Sequence, residues 1–330
     1  MKKKCAVLLV LAMMTCIVFT ACSSDEAVSD TGTESTGEES GTEGETVVIG
    51  FSNSEMDHPY RIAMYDEMME AVEANGLNWE VILSDAAHDY AKQANDIEDL
   101  IVQGVQGLIV SPGDSSTSIS ACLDAMAQGI PVVLVDRVLD DESAYDVFCG
   151  GDNYQVGVAA AEYIAEQLDG EGKVVQLQGT LGASATTERT AGFEDTIAQY
   201  PGIELVANVS ANYNREEALA TMEDILVSQD EIDYVFAQND SMAYGGILAC
   251  EAAGRTDILF VGADGEMDAL NMIAEKGQYA ATVVYPRGTA EAVETLAAIL
   301  DGTWTGEKEV IVDTPIITQE NVDSMMQYGY

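Results

Sequence analysis

The stretch PVVLVDR, residues 131–137, contains the pattern that the rest of the chain repeats. Four apolar residues follow Pro131 and lead directly into Asp136 and Arg137. A short run this apolar is typical of a strand buried on both faces of a parallel sheet. Since the chain holds 13 Lys and Arg residues against 58 Asp and Glu residues, an arginine placed beside an aspartate at the end of such a strand indicates a specific role.

Similar β-rich runs alternate with longer helical segments from residue 46 onward. The helical segments, such as YAKQANDIEDLIVQG (90–104), space their apolar residues as an amphipathic helix does, and most end at glycine. The alternation predicts an α/β fold with two doubly wound parallel-sheet lobes that meet near CGGDNYQVG (149–157). The other strand-like runs are TVVIGFS (46–52), WEVILS (79–84), GLIVSP (107–112), KVVQLQG (173–179), IELVANVS (203–210), DYVFAQND (233–240), ILFVGADG (258–265) and YAATVVYP (279–286).

The first 22 residues have the pattern of a lipoprotein signal peptide. MKKK precedes an apolar run over residues 5–19, and FTAC (19–22) places small residues before Cys22, which we expect to be lipidated. An ordinary signal peptide with an incidental cysteine is the alternative. Residues 23–45 are rich in Ser, Thr, Gly and acidic residues and predict a disordered acidic tether. The protein is therefore expected at the extracytoplasmic face of the cell membrane, held by a lipid anchor.

The composition excludes several classes of function. A formal net charge of −45 argues against nucleic acid as a partner. Three cysteines follow the predicted signal peptide, Cys122, Cys149 and Cys250, and they lack metal-type spacing, so we expect no metal. Cys122 and Cys250 lie in helical patterns and are predicted to be buried. No phosphate-binding loop or G-x-S-x-G motif occurs in the sequence, and we expect no cofactor and no enzymatic activity.

Polar residues collect where the predicted strands end, and this is the edge at which parallel α/β sheets bind ligands. Arginine donates hydrogen bonds to two oxygens at once, and asparagine also supplies donors. Aspartate accepts hydrogen bonds from hydroxyls, and tyrosine rings cover C–H surfaces. A sugar, whose hydroxyls both donate and accept, fits this mixture. One Asp–Arg pair alone is usually a surface ion pair, so we base the prediction on the joint placement. The candidates are His58, Tyr60, Arg61, Asp136, Arg137, Arg189, Tyr213, Asn239, Asp264 and Tyr285.

Four motifs resemble those of the periplasmic sugar-binding proteins that serve ABC importers, in the ribose and galactofuranose branch. They are VLVDR (133–137), LQGTLGASATTERTAGF (177–193), FAQNDSMAYG (236–245) and VGADG (261–265). The resemblance covers about residues 46–330 and implies a type I periplasmic binding protein fold with a three-strand hinge. It places the N-terminal lobe at 46–151 plus 286–311 and the C-terminal lobe at 152–285 plus 312–330.

By the same resemblance, ligand contacts fall on Asp136, Arg137, Arg189, Asn239 and Asp264, with Tyr60 and Tyr213 as stacking aromatics. Two positions depart from the ribose-binding pattern. Arg61 stands where ribose binders have a second aromatic residue, and an aromatic residue followed by arginine resembles the galactofuranose binders instead. Tyr285 stands near the position at which ribose binders have a glutamine. These departures favour a sugar other than ribose, such as a hexose in furanose form. His58 is a further candidate because it lies next to Pro59 at the same strand end.

The sequence thus predicts a monomeric, lipid-anchored solute-binding protein that captures a monosaccharide between two lobes. The closed form would deliver the sugar to the membrane permease of an ABC importer. A non-sugar polyol, a nucleoside or a furanone signal would suit the same donors and acceptors and stays open as the ligand. A sugar-processing enzyme is the least favoured alternative.

Overall fold

Twelve strands within residues 45–330 form two six-stranded sheets, and these are the residues that the computed structural model describes. The predicted signal peptide, Cys22 and all of the tether but Glu45 lie outside the described residues. None of the helices in the described part of the chain is long and apolar enough to span a membrane.

The first sheet has the strand order β11-β5-β4-β3-β1-β2, and all its neighbouring strands are parallel. Its central strands carry unbroken apolar runs because helices cover both faces of the sheet. With strands numbered along the chain, its members are β1 (Val47–Asn53), β2 (Trp79–Asp85), β3 (Gly107–Ser111), β4 (Val132–Val135), β5 (Val147–Gly151) and β11 (Glu309–Val312).

The second sheet has the order β12-β10-β9-β8-β6-β7. Strand β12 pairs antiparallel with β10, and the other neighbours are parallel. Its strands are β6 (Glu171–Gln178), β7 (Gly202–Ser210), β8 (Tyr234–Ala237), β9 (Leu259–Asp264), β10 (Tyr279–Val284) and β12 (Ile316–Thr318).

The described part of the chain has ten α-helices, of which nine connect strands and the last follows β12. Several begin at a polar residue whose side chain accepts a hydrogen bond from a backbone N–H of the first turn, among them Asp89, Asp152 and Asn214. The helices are α1 (Pro59–Ala74), α2 (Tyr90–Gln103), α3 (Ile119–Ala127), α4 (Asn153–Gln167), α5 (Ser184–Ile197), α6 (Arg215–Ser228), α7 (Asp240–Ala252), α8 (Met267–Ala274), α9 (Thr289–Leu300) and α10 (Val322–Met325).

Helices α4 and α5 approach so closely that two positions in their interface require glycine. A Cβ on Gly157 would lie 2.2 Å from the carbonyl oxygen of Arg189, and a Cβ on Gly192 would lie 2.1 Å from that of Tyr154. This close approach brings the beginning of α4 next to the middle of α5. It therefore fixes where the side chain of Arg189 emerges.

The chain passes between the two sheets three times, which gives the three-strand hinge. The crossings follow β5, β10 and β11, at residues 151–153, 284–289 and 312–316. Helix α9 returns to the first lobe, where it packs against α1, β4 and β5. The α/β fold of two parallel-sheet lobes is confirmed.

All nine strand-like runs of the sequence correspond to strands, whereas β5, β11 and β12 were not among them. Strand β5 carries the sequence VFCGG, whose glycines indicate a turn, and β12 has only 3 residues. Cys122, Cys149 and Cys250 are buried free thiols. Burial raises the pKa of Cys122 to about 12, so this thiol is a packing group.

Candidate functional site

A cavity lies between the carboxyl ends of the two sheets, and both lobes line it. About 330 Å³ of its space is free of protein atoms, part of it open to solvent. The lining residues are Glu55, His58, Tyr60, Arg61, Asp136 and Arg137 from the first lobe and Ala185, Arg189, Tyr213, Asn239 and Asp264 from the second.

Asp136 is held at the end of β4 in a tight three-residue turn. The N–H of Arg137 donates to the carbonyl of Val135 at 2.7 Å, and Asp136 between them has a φ of 66°. Left-handed backbone is unfavourable for a residue other than glycine, and such strain is often found at functional sites. The turn directs Asp136 and Arg137 together toward the cavity.

Four charged side chains of the first lobe form one buried cluster at the cavity. Arg61 is the centre, with its Nε 3.0 Å from Oε1 of Glu55 and its Nη1 2.8 Å from Oδ2 of Asp136. Arg137 adds a second guanidinium, whose Nε lies 3.4 Å from the same Asp136 oxygen. Oδ2 of Asp136 and Nε of Arg137 have no well-aligned hydrogen bond. Both atoms are buried within the cluster, where they take part in the ion pairs with Arg61 and with each other.

The arginines control the ionisation of their neighbours. Burial alone would raise the pKa of Glu55, but Arg61 and Arg137 outweigh it and hold the pKa at about 2. Burial, followed by the charge of Arg61, lowers the pKa of His58 to about 4. At neutral pH the cavity thus contains an ionised Glu55 and an uncharged His58.

Arg189 is the arginine that the second lobe contributes to the cavity, and its neighbours hold it in place. Its Nε donates to Oδ1 of Asn153 at 2.9 Å, its Nη1 donates to the carbonyl of Gln238, and Nη1 lies 3.3 Å from Oδ1 of Asp264. Its guanidinium carbon lies 4.7 Å from the ring centre of Tyr285. Held on so many sides, Arg189 has one orientation, which favours preorganised binding.

The position of Asp264 is fixed by the buried side chain of Asp240. Oδ2 of Asp240 accepts from the N–H of Gly265 at 2.8 Å and from that of Glu266 at 2.7 Å, while Oδ1 accepts from the hydroxyls of Tyr279 and Thr282. These bonds hold the turn in which Asp264 has a φ of 112°. Burial raises the pKa of Asp264, with Arg189 acting in the opposite direction.

Two tyrosine rings give the cavity its apolar surface. The hydroxyl of Tyr60 donates to the carbonyl of Pro286 at 3.0 Å, and the hydroxyl of Tyr213 accepts from Thr186 at 3.0 Å. Tyr213 lies against Gly179, where a Cβ would come within 2.0 Å of its ring. Glycine at 179 is therefore a condition for the position of Tyr213.

Nine of the ten residues predicted from the sequence line the cavity, and Tyr285 does not. Its hydroxyl bonds to the carbonyl of Asp136 at 2.8 Å and to Nδ2 of Asn153 at 2.9 Å, so it supports the hinge side of the site. Glu55 lines the cavity but was not predicted. A carboxylate carries little signal in a chain with 58 Asp and Glu residues, whereas the scarce arginines stand out.

Basic and acidic side chains are matched in number around the cavity. Three arginines face three acidic side chains, from Glu55, Asp136 and Asp264, around an uncharged His58. The described residues contain no group of three or more His, Cys, Asp or Glu side chains placed to hold a metal ion. Such a site offers directed hydrogen bonds in both senses to a ligand that is itself neutral.

Comparison with known proteins gives consistent matches. A family model described as a periplasmic binding protein domain matches residues 49–303. The ribose import binding protein RbsB of Bacillus subtilis (strain 168) is 36% identical over 255 residues, which cover 77% of this chain and 82% of that protein. These matches, like the fold, cover both lobes.

Two solved structures are also similar over most of their length. A solute binding protein of an ABC transporter from Bacillus halodurans C-125, with bound myo-inositol, has a TM-score of 0.79 at 31% identity and covers 86% of this chain and 98% of that chain. A galactofuranose binding protein has a TM-score of 0.81 at 25% identity and covers 85% and 97%.

Proposed function

The chain belongs to the family of periplasmic binding protein domains, and from this premise we propose that it captures a neutral monosaccharide or closely related polyol between its lobes. It delivers this ligand to the membrane permease of an ABC importer. The names of the similar proteins support the class of ligand, since they specify an aldopentose, a cyclitol and a hexose in furanose form. All three are uncharged and rich in hydroxyls.

The balanced cavity is the observation that carries the proposal. An anionic ligand would meet the acidic side chains of Glu55, Asp136 and Asp264, and a cationic one would meet three buried guanidiniums. An unpaired charge in such an enclosed place costs several kcal/mol, of order 3–5. A polyol avoids this cost, because each hydroxyl both donates to a carboxylate and accepts from an arginine.

The proposal assigns a role to most of the lining residues. Arg61, Arg137 and Arg189 donate to hydroxyl oxygens, and Asp136 and Asp264 accept from hydroxyls. Tyr60 and Tyr213 cover the C–H faces of the ligand, as aromatic rings commonly do at small-molecule sites. Glu55 acts as a binding residue and not as a general acid, because its pKa of about 2 keeps it ionised at neutral pH. The proposal is therefore of a binding protein and not of an enzyme, as the similarity to binding proteins supports.

The two lobes of the proposal are residues 46–151 plus 286–311 and residues 152–285 plus 312–330. Strand membership supports this division, because β11 belongs to the first sheet and β12 to the second. Gly150 and Gly151 lie at the first crossing, where hinge residues absorb the change in φ and ψ on closure. A monomer held by lipid on Cys22, at the extracytoplasmic face of the membrane, completes the proposal.

Isothermal titration calorimetry tests the proposal with D-ribose, D-galactose, D-fructose, L-arabinose, xylitol and myo-inositol. We expect at least one of them to bind with a micromolar or lower Kd. Arg137→Ala should weaken binding by about 100-fold or more, since it removes a charged donor and leaves Asp136 and Glu55 with one guanidinium fewer. Arg255→Ala is the matched control, because Arg255 pairs with Asp257 outside the cavity. A panel that gives no heat, or equal losses in both variants, would contradict the proposal.

A further inference from the structure

His58 and Asn239 face each other across the cleft, one from each lobe, and both line the cavity. His58 precedes α1 and caps it, because its Nδ1 accepts from the N–H of Tyr60 at 3.2 Å. Its other ring nitrogen, Nε2, lies 3.1 Å from Nδ2 of Asn239. The two side chains are therefore close enough for a direct hydrogen bond between the lobes.

The orientation of the Asn239 amide is fixed by its own lobe. Its Oδ1 accepts from the N–H of Met242 at 2.9 Å, which caps α7, and its Nδ2 donates to the carbonyl of Tyr213 at 3.3 Å. Rotating the amide by half a turn would place Oδ1 against the carbonyl oxygen of Tyr213 and Nδ2 against the N–H of Met242. Asn239 therefore presents a donor to His58.

His58 cannot satisfy both of its neighbours. A neutral imidazole has one N–H and one accepting nitrogen. If Nδ1 accepts from Tyr60, the proton is on Nε2, and Nε2–H meets the N–H of Asn239. If the proton is on Nδ1, the cap on α1 is lost. Protonation adds a second donor, and the low pKa of His58, about 4, keeps the ring neutral at pH 7. In each tautomer one N–H lacks an acceptor.

We propose that Nε2–H of His58 and Nδ2–H of Asn239 form a pair of donors that together hold one oxygen of the ligand. This assignment rests on the proposed function and deepens it. The shared oxygen satisfies both donors at once, and it joins the two lobes because each donor belongs to a different one. Closure then requires an acceptor oxygen at this point, such as a hydroxyl or a ring oxygen. A deoxy or protonated amino position there is rejected, because buried donors without an acceptor are costly.

Calorimetry with the tightest-binding member of the panel above tests the pair. His58→Phe keeps a ring but removes both nitrogens, and we expect binding to weaken by about tenfold or more. His88→Phe is the matched control, expected to change the Kd by less than about twofold. The side chain of His88 is 58% exposed and contacts Asp57 at 3.0 Å, and it does not line the cavity. Thermal melting of both variants shows whether they fold.

Because His58→Phe also removes the cap on α1, a second measurement uses the unaltered protein. The chain has only 2 histidines, so a long-range ¹H–¹⁵N spectrum resolves both rings, and His88→Phe assigns them. We expect the proton of His58 on Nε2 in the complex, with slower exchange than in the free protein. A proton on Nδ1 in the complex, or normal affinity of His58→Phe, would overturn the pair while leaving the proposed function intact. Failure of the unaltered protein to bind any panel member would overturn both.

Discussion

Replacing Glu55 with glutamine should destabilise the first lobe in a pH-dependent way. Burial would raise the pKa of Glu55, but Arg61 and Arg137 lower it to about 2 from an ordinary value of 4.5. At about 1.4 kcal/mol per pKa unit, this difference stabilises the fold by about 3 kcal/mol at pH 7. Glu55→Gln removes this contribution while keeping the shape of the side chain.

The sign of the pH dependence follows from the lowered pKa. A carboxyl group whose pKa falls on folding stabilises the protein above the pKa of the unfolded chain, and this stabilisation is lost as the pH falls toward the folded value. The difference in the free energy of unfolding between wild type and Glu55→Gln should therefore shrink from about 3 kcal/mol at pH 7 to about 2 kcal/mol at pH 3.5.

Urea unfolding followed by tryptophan fluorescence measures this difference. Trp79 lies in β2, and Trp304 follows α9, so both report on the first lobe. Glu98→Gln is the control, since Glu98 is exposed on α2 and should change the free energy by less than about 0.5 kcal/mol. A difference below about 1 kcal/mol at pH 7, or one that grows as the pH falls, would refute the role given to the two arginines.

Two glycine substitutions test how the fold positions the site. Gly179→Ala places a Cβ 2.0 Å from the ring of Tyr213, so the ring must move. Calorimetry should show about tenfold weaker binding, with little loss of thermal stability. Unchanged affinity would mean that Tyr213 does not contact the ligand. Gly157→Ala places a Cβ 2.2 Å from the carbonyl oxygen of Arg189, so α5 must shift away from α4. Thermal melting should show that the free energy of unfolding falls by about 1–3 kcal/mol, and binding should weaken as Arg189 moves. A Tm equal to that of wild type would show that the helices tolerate the added methyl group.

The fold could be predicted from the sequence because its central strands are short, apolar and separated by amphipathic helices. Strand β4, VVLV, has no polar residue, and its two faces are both covered. Strand β11, EVIV, is at a sheet edge with alternating exposure, and β12 has only 3 residues. Edge strands this short are defined by their partners in the sheet, so their own sequence predicts them poorly.

The arginines of the site could be predicted because cations are rare in this chain and these three lie in the segments that follow predicted strands. Glu55 could not, since its role depends on a contact with Arg61 that only the folded loop creates. Tyr285 was placed at the right strand end, yet its hydroxyl is held by the carbonyl of Asp136 and by Asn153. The direction of a side chain at a hinge depends on how two lobes meet, which no local pattern encodes.

A crystal structure of the protein with its tightest-binding polyol tests the central claim most directly. We predict one neutral ligand between the lobes, with hydroxyl oxygens at hydrogen-bond distance, about 2.7–3.2 Å, from Arg137, Arg189 and Asp264. Density for a charged molecule in the cavity, or a polyol bound elsewhere while the cavity holds only water, would contradict it.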